Sequence, residues 1–147
     1  MFDIVILGGG PGGYVAAEKA ASLGMSVALI EKDALGGTCL NRGCIPTKSL
    51  LNSAKRYKHA LDSKAMGVTA EAVSFDLATA MAWKNSTVSR LVANIEFLMK
   101  KNKVEIIQGT GSLASANSVK IAETEALVEG KHIIIAAGSV PPPPPPP

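Results

Sequence analysis

The chain has 147 residues, the length of one domain able to bury a core, and its 47 % apolar and 18 % charged content excludes disorder over most of it. Fifteen Lys and Arg against twelve Asp and Glu leave a net charge of +3, too even to imply nucleic acid, and 4 % aromatics argue against base-stacking surfaces. No apolar run approaches the ~20 residues of a membrane span, and no basic or Arg/Ser-rich leader precedes Asp3, so neither a membrane partner nor a targeting peptide is expected and a cytoplasmic location is.

Asp3–Leu7 (DIVIL) is a short continuous apolar run rich in Ile and Val, the pattern of a strand buried on both faces. Gly8–Gly13 follows, then a small-residue helix from Gly12 to Leu23 with Gly24 as its terminating glycine. Ser26–Glu31 (SVALIE) is the second buried strand. Together they form a βαβ unit, which forces a parallel pair with a right-handed crossover.

A loop with Gly36, Gly37 and Gly43 comes next. A helix then starts at Cys44–Pro46 and runs to Ser63, with Leu50, Leu51, Ala54, Tyr57 and Leu61 on one face. A second spans Asp76–Lys101, its apolar set Leu77, Met81, Val88, Leu91, Val92, Ile95 and Leu98 fitting the 3.6 period and Asn102 stopping it. Trp83 on that helix reads as a core or subunit contact. Val104–Gln108, Thr110–Leu113, Ser118–Ala122, Ala126–Glu129 and Lys131–Ala136 are short β runs punctuated by Gly and Asn. The expected class is α/β, with a parallel βαβ start and a later antiparallel β-meander, over residues 1–140. Pro141–Pro147 holds seven of the nine prolines and reads as an extended polyproline II tail foreign to the fold, or as a ligand for a proline-reading domain.

Within Gly8–Gly13 lies G-x-G-x-x-G, with Ala17 four residues on. Gly8 makes the tight turn off the strand, Gly10 lets backbone approach a pyrophosphate, and Gly13 with Ala17 lets helix and strand pack closely. The helix N-terminus offers unpaired N–H groups and its positive dipole end to the anion. Glu31 closes the second strand where a carboxylate can accept from ribose hydroxyls, and an acid there favours a free ribose over a 2′-phosphate. Lys32 reads as solvated.

Cys39 and Cys44 are the only cysteines. Closing so short a loop gains only about 2 kcal/mol of chain entropy, a poor structural staple. In a reducing compartment such a pair is more often catalytic. Pro46 suits a first helical turn, which puts Cys44 at a helix N-terminus where the dipole favours a thiolate, and Lys48 lies one turn further on the same face. Two inert buried thiols are one competing reading. Zinc with His59 and His132 is another, although C-x4-C with one His on a helix and one at a strand start is not the usual ligand spacing. His59 alone reads as a partly exposed helix residue and His132 as a sheet-edge residue.

Gly36-Gly37-Thr38-Cys39-Leu40-Asn41-Arg42-Gly43-Cys44-Ile45-Pro46-Thr47-Lys48 resembles the redox motif of the flavin-dependent pyridine nucleotide-disulfide oxidoreductases. Leu40-Asn41-Arg42, Ile45-Pro46-Thr47-Lys48 and Ser49-Leu50-Leu51 lean toward the lipoamide branch, as do Gly8 to Ala17, Gly109-Thr110-Gly111 and Ala136-Ala137-Gly138-Ser139, so the resemblance covers residues 2–139. It implies a Rossmann-type FAD-binding domain: Gly8, Gly10 and Gly13 on the pyrophosphate, Glu31 on the ribose, and Thr38 near the phosphates or ribityl chain. It also implies Gly109 or Gly111 at the adenine end, Gly138 and Ser139 on a strand beside the cofactor, and Lys48 near the flavin ring. Cys39 would exchange with a dihydrolipoyl substrate and Cys44, nearer the flavin, would pass electrons on, NAD⁺ being the final acceptor. No metal is implied. The implied partners are lipoyl groups of 2-oxoacid dehydrogenase or glycine cleavage complexes, in a homodimer. The family pattern continues into an NAD-binding domain, a return segment and an interface domain with a His–Glu base, none of which this sequence shows, so the isolated chain is not expected to turn over. A non-catalytic FAD-binding module and a glutathione- or mercuric-type reductase segment are the alternatives.

Overall fold

The structure, a computed structural model, describes residues 1–140, and the polyproline reading of 141–147 lies outside the described residues. The chain divides into two compact units, residues 1–37 with the chain from 95 onward, and residues 38–94.

In the first unit β1 (Phe2–Leu7), α1 (Pro11–Ser22) and β2 (Val27–Glu31) form the expected βαβ. β1 pairs in parallel with β2, Ile4 opposite Val27 and Leu7 opposite Ile30. Gly24 ends α1 with φ +85°, a value that costs a residue without Cβ little. β3 (Glu105–Gln108) adds in parallel outside β2. β4 (Gly111–Leu113), β5 (Ser118–Ile121) and β6 (Leu127–Ile135) form the antiparallel meander, completing the order β3-β2-β1-β6-β5-β4.

β6 is one strand where the sequence reading expects two. Its first residues pair with β5 and Gly130–Ile135 pair in parallel with β1. Gly130 is no break: a Cβ there would sit 2.7 Å from the Val5 Cγ2 atom, so the missing side chain is what lets the strand lie flat against β1.

Because β1 is buried on both faces, Val5 and Ile6 are both fully inaccessible. One face holds Val5, Ala28, Ile30, Val119, Ile121 and Val128, with Phe2, Leu7, Ile107 and Ile133 packed against them. The other carries Ile6 and Leu29 with Ala17 and Ala20 of α1, and Gly13 brings the helix within van der Waals reach of Ile6. Each fully buried Val, Leu or Ile contributes roughly 1.5–3 kcal/mol. At one end of the sheet, the Asp3 carboxylate accepts from Ser26 N–H (2.9 Å), Ser26 Oγ (2.7 Å) and Lys131 Nζ (2.6 Å), tying β1 to β6 and the entry to β2.

The second unit contains α2 (Gly37–Asn41) from Thr38 on, α3 (Cys44–Asp62), a 3₁₀ turn (Ser63–Met66) and α4 (Leu77–Lys101) up to Asn94. α2 lies in the stretch read as loop. Along α3 the half-buried residues include Leu50 and Tyr57, whereas Leu51, Ala54 and Leu61 of the expected apolar face are exposed. Tyr57 packs edge-on against Phe75, ring centroids 5.9 Å apart. Asp76 caps α4 through the N–H groups of Ala78 and Thr79. Trp83 is 56 % exposed, outside any core.

Candidate functional site

The glycine loop is shaped by contacts that leave no room for side chains. Gly8 turns off β1 at φ +107°, its N–H donating to Ile30 O (2.8 Å), and a Cβ there would meet Ala136 O at 2.3 Å. At Gly13 a Cβ would fall 1.7 Å from Gly8 O, so α1 can start where it does only above a glycine. Gly10 is the N-cap and Pro11 opens the helix. Neither supplies a capping side chain, and the nearest atom to a Cβ on Gly10 is Gly37 Cα at 3.7 Å. The N-terminus of a twelve-residue helix is therefore left with its first N–H groups uncapped by any side chain, as an anion site requires.

Glu31 sits at the end of β2 and its carboxylate holds two loops at once. Oε2 accepts from Gly9 N–H at 2.7 Å and Oε1 from Asp33 N–H at 2.8 Å. Each oxygen keeps a second lone pair for a further donor.

Beside it a pocket of ≈ 150 Å³ opens at the C-terminal ends of β1, β2 and β6, the expected place for a ligand in an open α/β sheet. Gly8, Glu31, Gly109 and Gly111 line it, with Leu7, Ile30, Lys32, Thr110 and Ala137. Gly111 makes space: a Cβ there would meet Leu7 Cδ1 at 2.6 Å and Val119 Cγ1 at 2.9 Å. Gly109 turns at φ +147°, its N–H donating to Glu31 O at 2.9 Å. Thr110 N–H is held between both oxygens of Glu123, at 3.0 and 2.8 Å, and this hydrogen bond lowers the Glu123 carboxyl from its ordinary value. A carboxylate beside an open helix N-terminus and a glycine-walled apolar slot fit the phosphate–ribose–adenine end of a dinucleotide.

The two cysteines fall in the second unit. Cys39 is half-buried in α2, and Cys44 is the exposed first residue of α3; both are free thiols. Gly43 brings them together, since a Cβ there would lie 3.1 Å from Thr38 O and 3.6 Å from Cys39 Cα. A hydrogen bond to the Cys44 side chain raises the Cys39 thiol above its ordinary value, and partial burial adds to this. The positive charge of Lys48 opposes the rise. Cys39 is thus the sulfur that keeps its proton, with Cys44 beside it at the helix start.

Of the expected cofactor residues, Gly8, Glu31, Gly109 and Gly111 meet at the pocket, and Gly10 and Gly13 lie in the adjoining loop. Gly138 and Ser139 are exposed beyond β6 and do not line it; Ala137 does. Thr38 and Lys48 are exposed on the second unit. Lys32, read as merely solvated, is exposed and also forms the pocket rim. His132 lies within the sheet opposite Ile4 rather than on an outer strand. Glu123 has no local signature in the sequence, because its partner Thr110 is thirteen residues away across the meander. Among the described residues, no three His, Cys, Asp or Glu converge as a metal site, and no helix is long and apolar enough to cross a membrane.

The chain is 47 % identical over 141 residues to dihydrolipoyl dehydrogenase of Zymomonas mobilis, covering 94 % of this chain and 30 % of that protein. It is 52 % identical over 142 residues to the mitochondrial dihydrolipoyl dehydrogenase of Pisum sativum, covering 93 % and 28 %. Among solved structures, a Cu(II) complex of the HOCl-induced flavoprotein disulfide reductase RclA from Escherichia coli superposes with a TM-score of 0.76 at 30 % identity, over 96 % of this chain and 30 % of that one. The chain thus spans about 30 % of the length of these relatives. The family model for pyridine nucleotide-disulphide oxidoreductases matches residues 2–147, and with the glycine loop, the pocket and the paired thiols in place the chain belongs to that family.

Proposed function

We propose that this chain is the FAD-binding and disulfide-bearing segment of a dihydrolipoyl dehydrogenase-type oxidoreductase. That enzyme takes electrons from protein-bound dihydrolipoyl groups and delivers them to NAD⁺. The observation that carries this reading is the Cys39–Cys44 pair, hydrogen-bonded side chain to side chain with Lys48 acting on it. Gly8, Gly10, Gly13 and the α1 N-terminus would hold the pyrophosphate, Glu31 the ribose, and Gly109 and Gly111 the adenine end. FAD, when bound, supplies a two-electron acceptor between the dithiol pair and the nicotinamide.

The chain's own part is thiol exchange. With the pair oxidised, a substrate thiolate attacks the Cys39 sulfur, the Cys39–Cys44 bond breaks, and Cys44 leaves as a thiolate at the head of α3. The second substrate thiol gives up its proton to solvent and attacks its own partner sulfur, closing the substrate disulfide and releasing Cys39, which takes a proton. Two electrons have then moved from the substrate to the pair. The raised Cys39 thiol fits this order, because Cys39 is the sulfur that ends protonated. Lipoyl groups of 2-oxoacid dehydrogenase or glycine cleavage complexes fit as donors, and a cytoplasmic homodimer fits as the setting. Turnover with NAD⁺ needs parts beyond this segment, and the share of its relatives' length that it spans supports that.

The test is a thiol count. After oxidation of the pair, an excess of dihydrolipoamide is expected to expose two thiols per wild-type chain. Cys39→Ser and Cys44→Ser chains, with one sulfur each, gain none. Failure of dihydrolipoamide to open the oxidised pair would overturn the reading.

A further inference from the structure

The turn between β3 and β4, Gly109–Thr110, forms one wall of the pocket beside Glu31, and nearly all of its polar groups are already engaged. Gly109 N–H donates to Glu31 O at 2.9 Å, and Thr110 O accepts from Ala122 N–H at 2.9 Å. Thr110 N–H donates to both oxygens of Glu123, at 3.0 and 2.8 Å, and the Thr110 hydroxyl is hydrogen-bonded to the same carboxylate. An ionised carboxylate only accepts, so both donors of Thr110 are turned to Glu123, which stands on the loop between β5 and β6 and does not line the pocket. These bonds, the backbone one first, hold the Glu123 carboxyl below its ordinary value and keep it ionised at neutral pH.

One polar group of the turn remains. The peptide joining Gly109 to Thr110 is trans, so the Gly109 carbonyl points opposite to the Thr110 N–H and thus away from Glu123. Among the described residues, no group donates to that carbonyl. The backbone alone does not fix this orientation. Gly109 lacks the Cβ that elsewhere limits rotation of a peptide plane, and a Cβ there would meet Ile121 Cγ2 at 2.6 Å and Glu123 Oε2 at 2.7 Å. Without the carboxylate, the Thr110 N–H and hydroxyl are free to turn to the slot, and the wall would present donors where it now presents an acceptor.

We propose that Glu123 is a positioning residue that sets the base preference of this pocket. By holding the Thr110 donors it leaves the Gly109 carbonyl as the acceptor, which favours a purine with an amino group at C6 over one with an oxo group there. The proposal rests on the reading of the pocket as the adenine end of a dinucleotide site. Adenine brings a donor at C6 to meet the carbonyl, whereas the C6 oxygen of hypoxanthine would face a second acceptor with no proton between them. Lys32 on the pocket rim offers a donor of its own, but it does so with or without Glu123, so a change on substitution isolates the carboxylate.

The test is calorimetric titration of the 147-residue chain with adenosine diphosphate, with inosine diphosphate, its 6-oxo counterpart, and with FAD. Wild type, Glu123→Ala and Glu123→Gln are compared, each checked by circular dichroism. The two diphosphates carry the same charge, so loss of a carboxylate's field shifts both alike and only a change at the base alters their ratio. The wild type is expected to bind the adenosine form on the order of tenfold more tightly than the inosine form. Glu123→Ala should bring that ratio to within about twofold of unity, and Glu123→Gln, whose carbonyl still accepts from Thr110, should keep most of it. A general slackening of the loop would instead weaken both nucleotides equally and leave the ratio intact, which would overturn the proposal, as would a wild type that binds the two alike. Should Glu123→Ala fail to fold, Glu123→Lys, which puts a donor in place of the acceptor, is read instead with the same expectation. If the wild type binds none of the three ligands, the cofactor reading and the role of Glu123 fall together; if FAD binds and the ratio ignores Glu123, that role alone falls. If the ratio behaves as expected while dihydrolipoamide leaves the oxidised Cys39–Cys44 pair closed, the redox reading falls and the base preference stands.

Discussion

Gly13 and Gly24 show how differently two glycines can matter. A methyl group on Gly13 would sit 1.7 Å from Gly8 O, a backbone atom that cannot move without dragging the turn off β1. At Gly24 the backbone is left-handed, φ +85°, but nothing lies within 4 Å of an added Cβ. Gly13→Ala is therefore expected to cost roughly 3 kcal/mol or more, through overpacking and loss of the loop, against about 1 kcal/mol for Gly24→Ala. Urea midpoints of the two variants measure this, and equal shifts would contradict it. The thiols allow a second prediction. The hydrogen bond to Cys44 is the largest cause of the raised Cys39 thiol, so Cys44→Ala should return Cys39 toward its ordinary value and increase its thiolate fraction at pH 8. Iodoacetamide labelling of Cys39 in reduced protein should then speed up on the order of threefold or more; an unchanged or slower rate would mean that Cys44 does not hold the Cys39 proton. Both residues were legible in the sequence because their reasons are local, a glycine pattern and a cysteine spacing. Glu123 was not, because its purpose exists only once the meander has brought it to Thr110.

Elements were legible to the extent that burial followed their period. β1 and β2 are continuous apolar runs and are buried on both faces, so pattern and packing agree. Gly130 misleads because glycine normally interrupts a strand, and only the Val5 side chain across the ladder reveals why it is tolerated. α2 is illegible in the sequence because a five-residue helix has no period to read and begins at a glycine with φ +57°. The start of α4 is legible because its signal is chemical. Asp76 accepts from Ala78 N–H at 3.2 Å and Thr79 N–H at 3.0 Å, and the Thr79 hydroxyl also donates to it. These bonds, the Thr79 side chain first, lower the Asp76 carboxyl from its ordinary value. With the folded value below the unfolded one, the cap's contribution is fully present above the unfolded carboxylate range near pH 4 and is lost as pH falls through the lower folded value. Amide exchange at Thr79 should accordingly be slow at pH 6, accelerate relative to mid-helix amides on acidification, and already be fast at pH 6 in Asp76→Ala; Asp76→Asn, which keeps an acceptor, should largely retain the protection.

For the molecule as a whole, length and composition promised a buried core, and the structure places that core unequally. Residues 1–37 with the chain from 95 onward hold Val5, Ile6, Ala28, Leu29, Ile30, Met99 and Val119, all fully inaccessible. Residues 38–94 bury only Leu40 and Ala80, and neither is fully inaccessible, while Leu51, Leu61, Met66, Val68, Phe75, Leu77 and Trp83 are each more than 45 % exposed. Net hydrophobicity could not reveal this, because apolar residues occur in both units and only the sheet offers two faces on which to bury them. Helical periodicity in α3 and α4 says which side of a helix is apolar but not whether anything covers it. Since opening free energy follows apolar burial, the two units should differ in their exchange behaviour. Amides of β1 and β2 should open only with global unfolding, whereas those of α3 should open by a cheaper local event and exchange on the order of a hundredfold faster, after correction for intrinsic rates. Hydrogen exchange followed by mass spectrometry on peptides spanning 2–7, 27–31 and 44–62 resolves the two. Equal protection of α3 and β1 would mean that the second unit draws its stability from something other than its own buried surface.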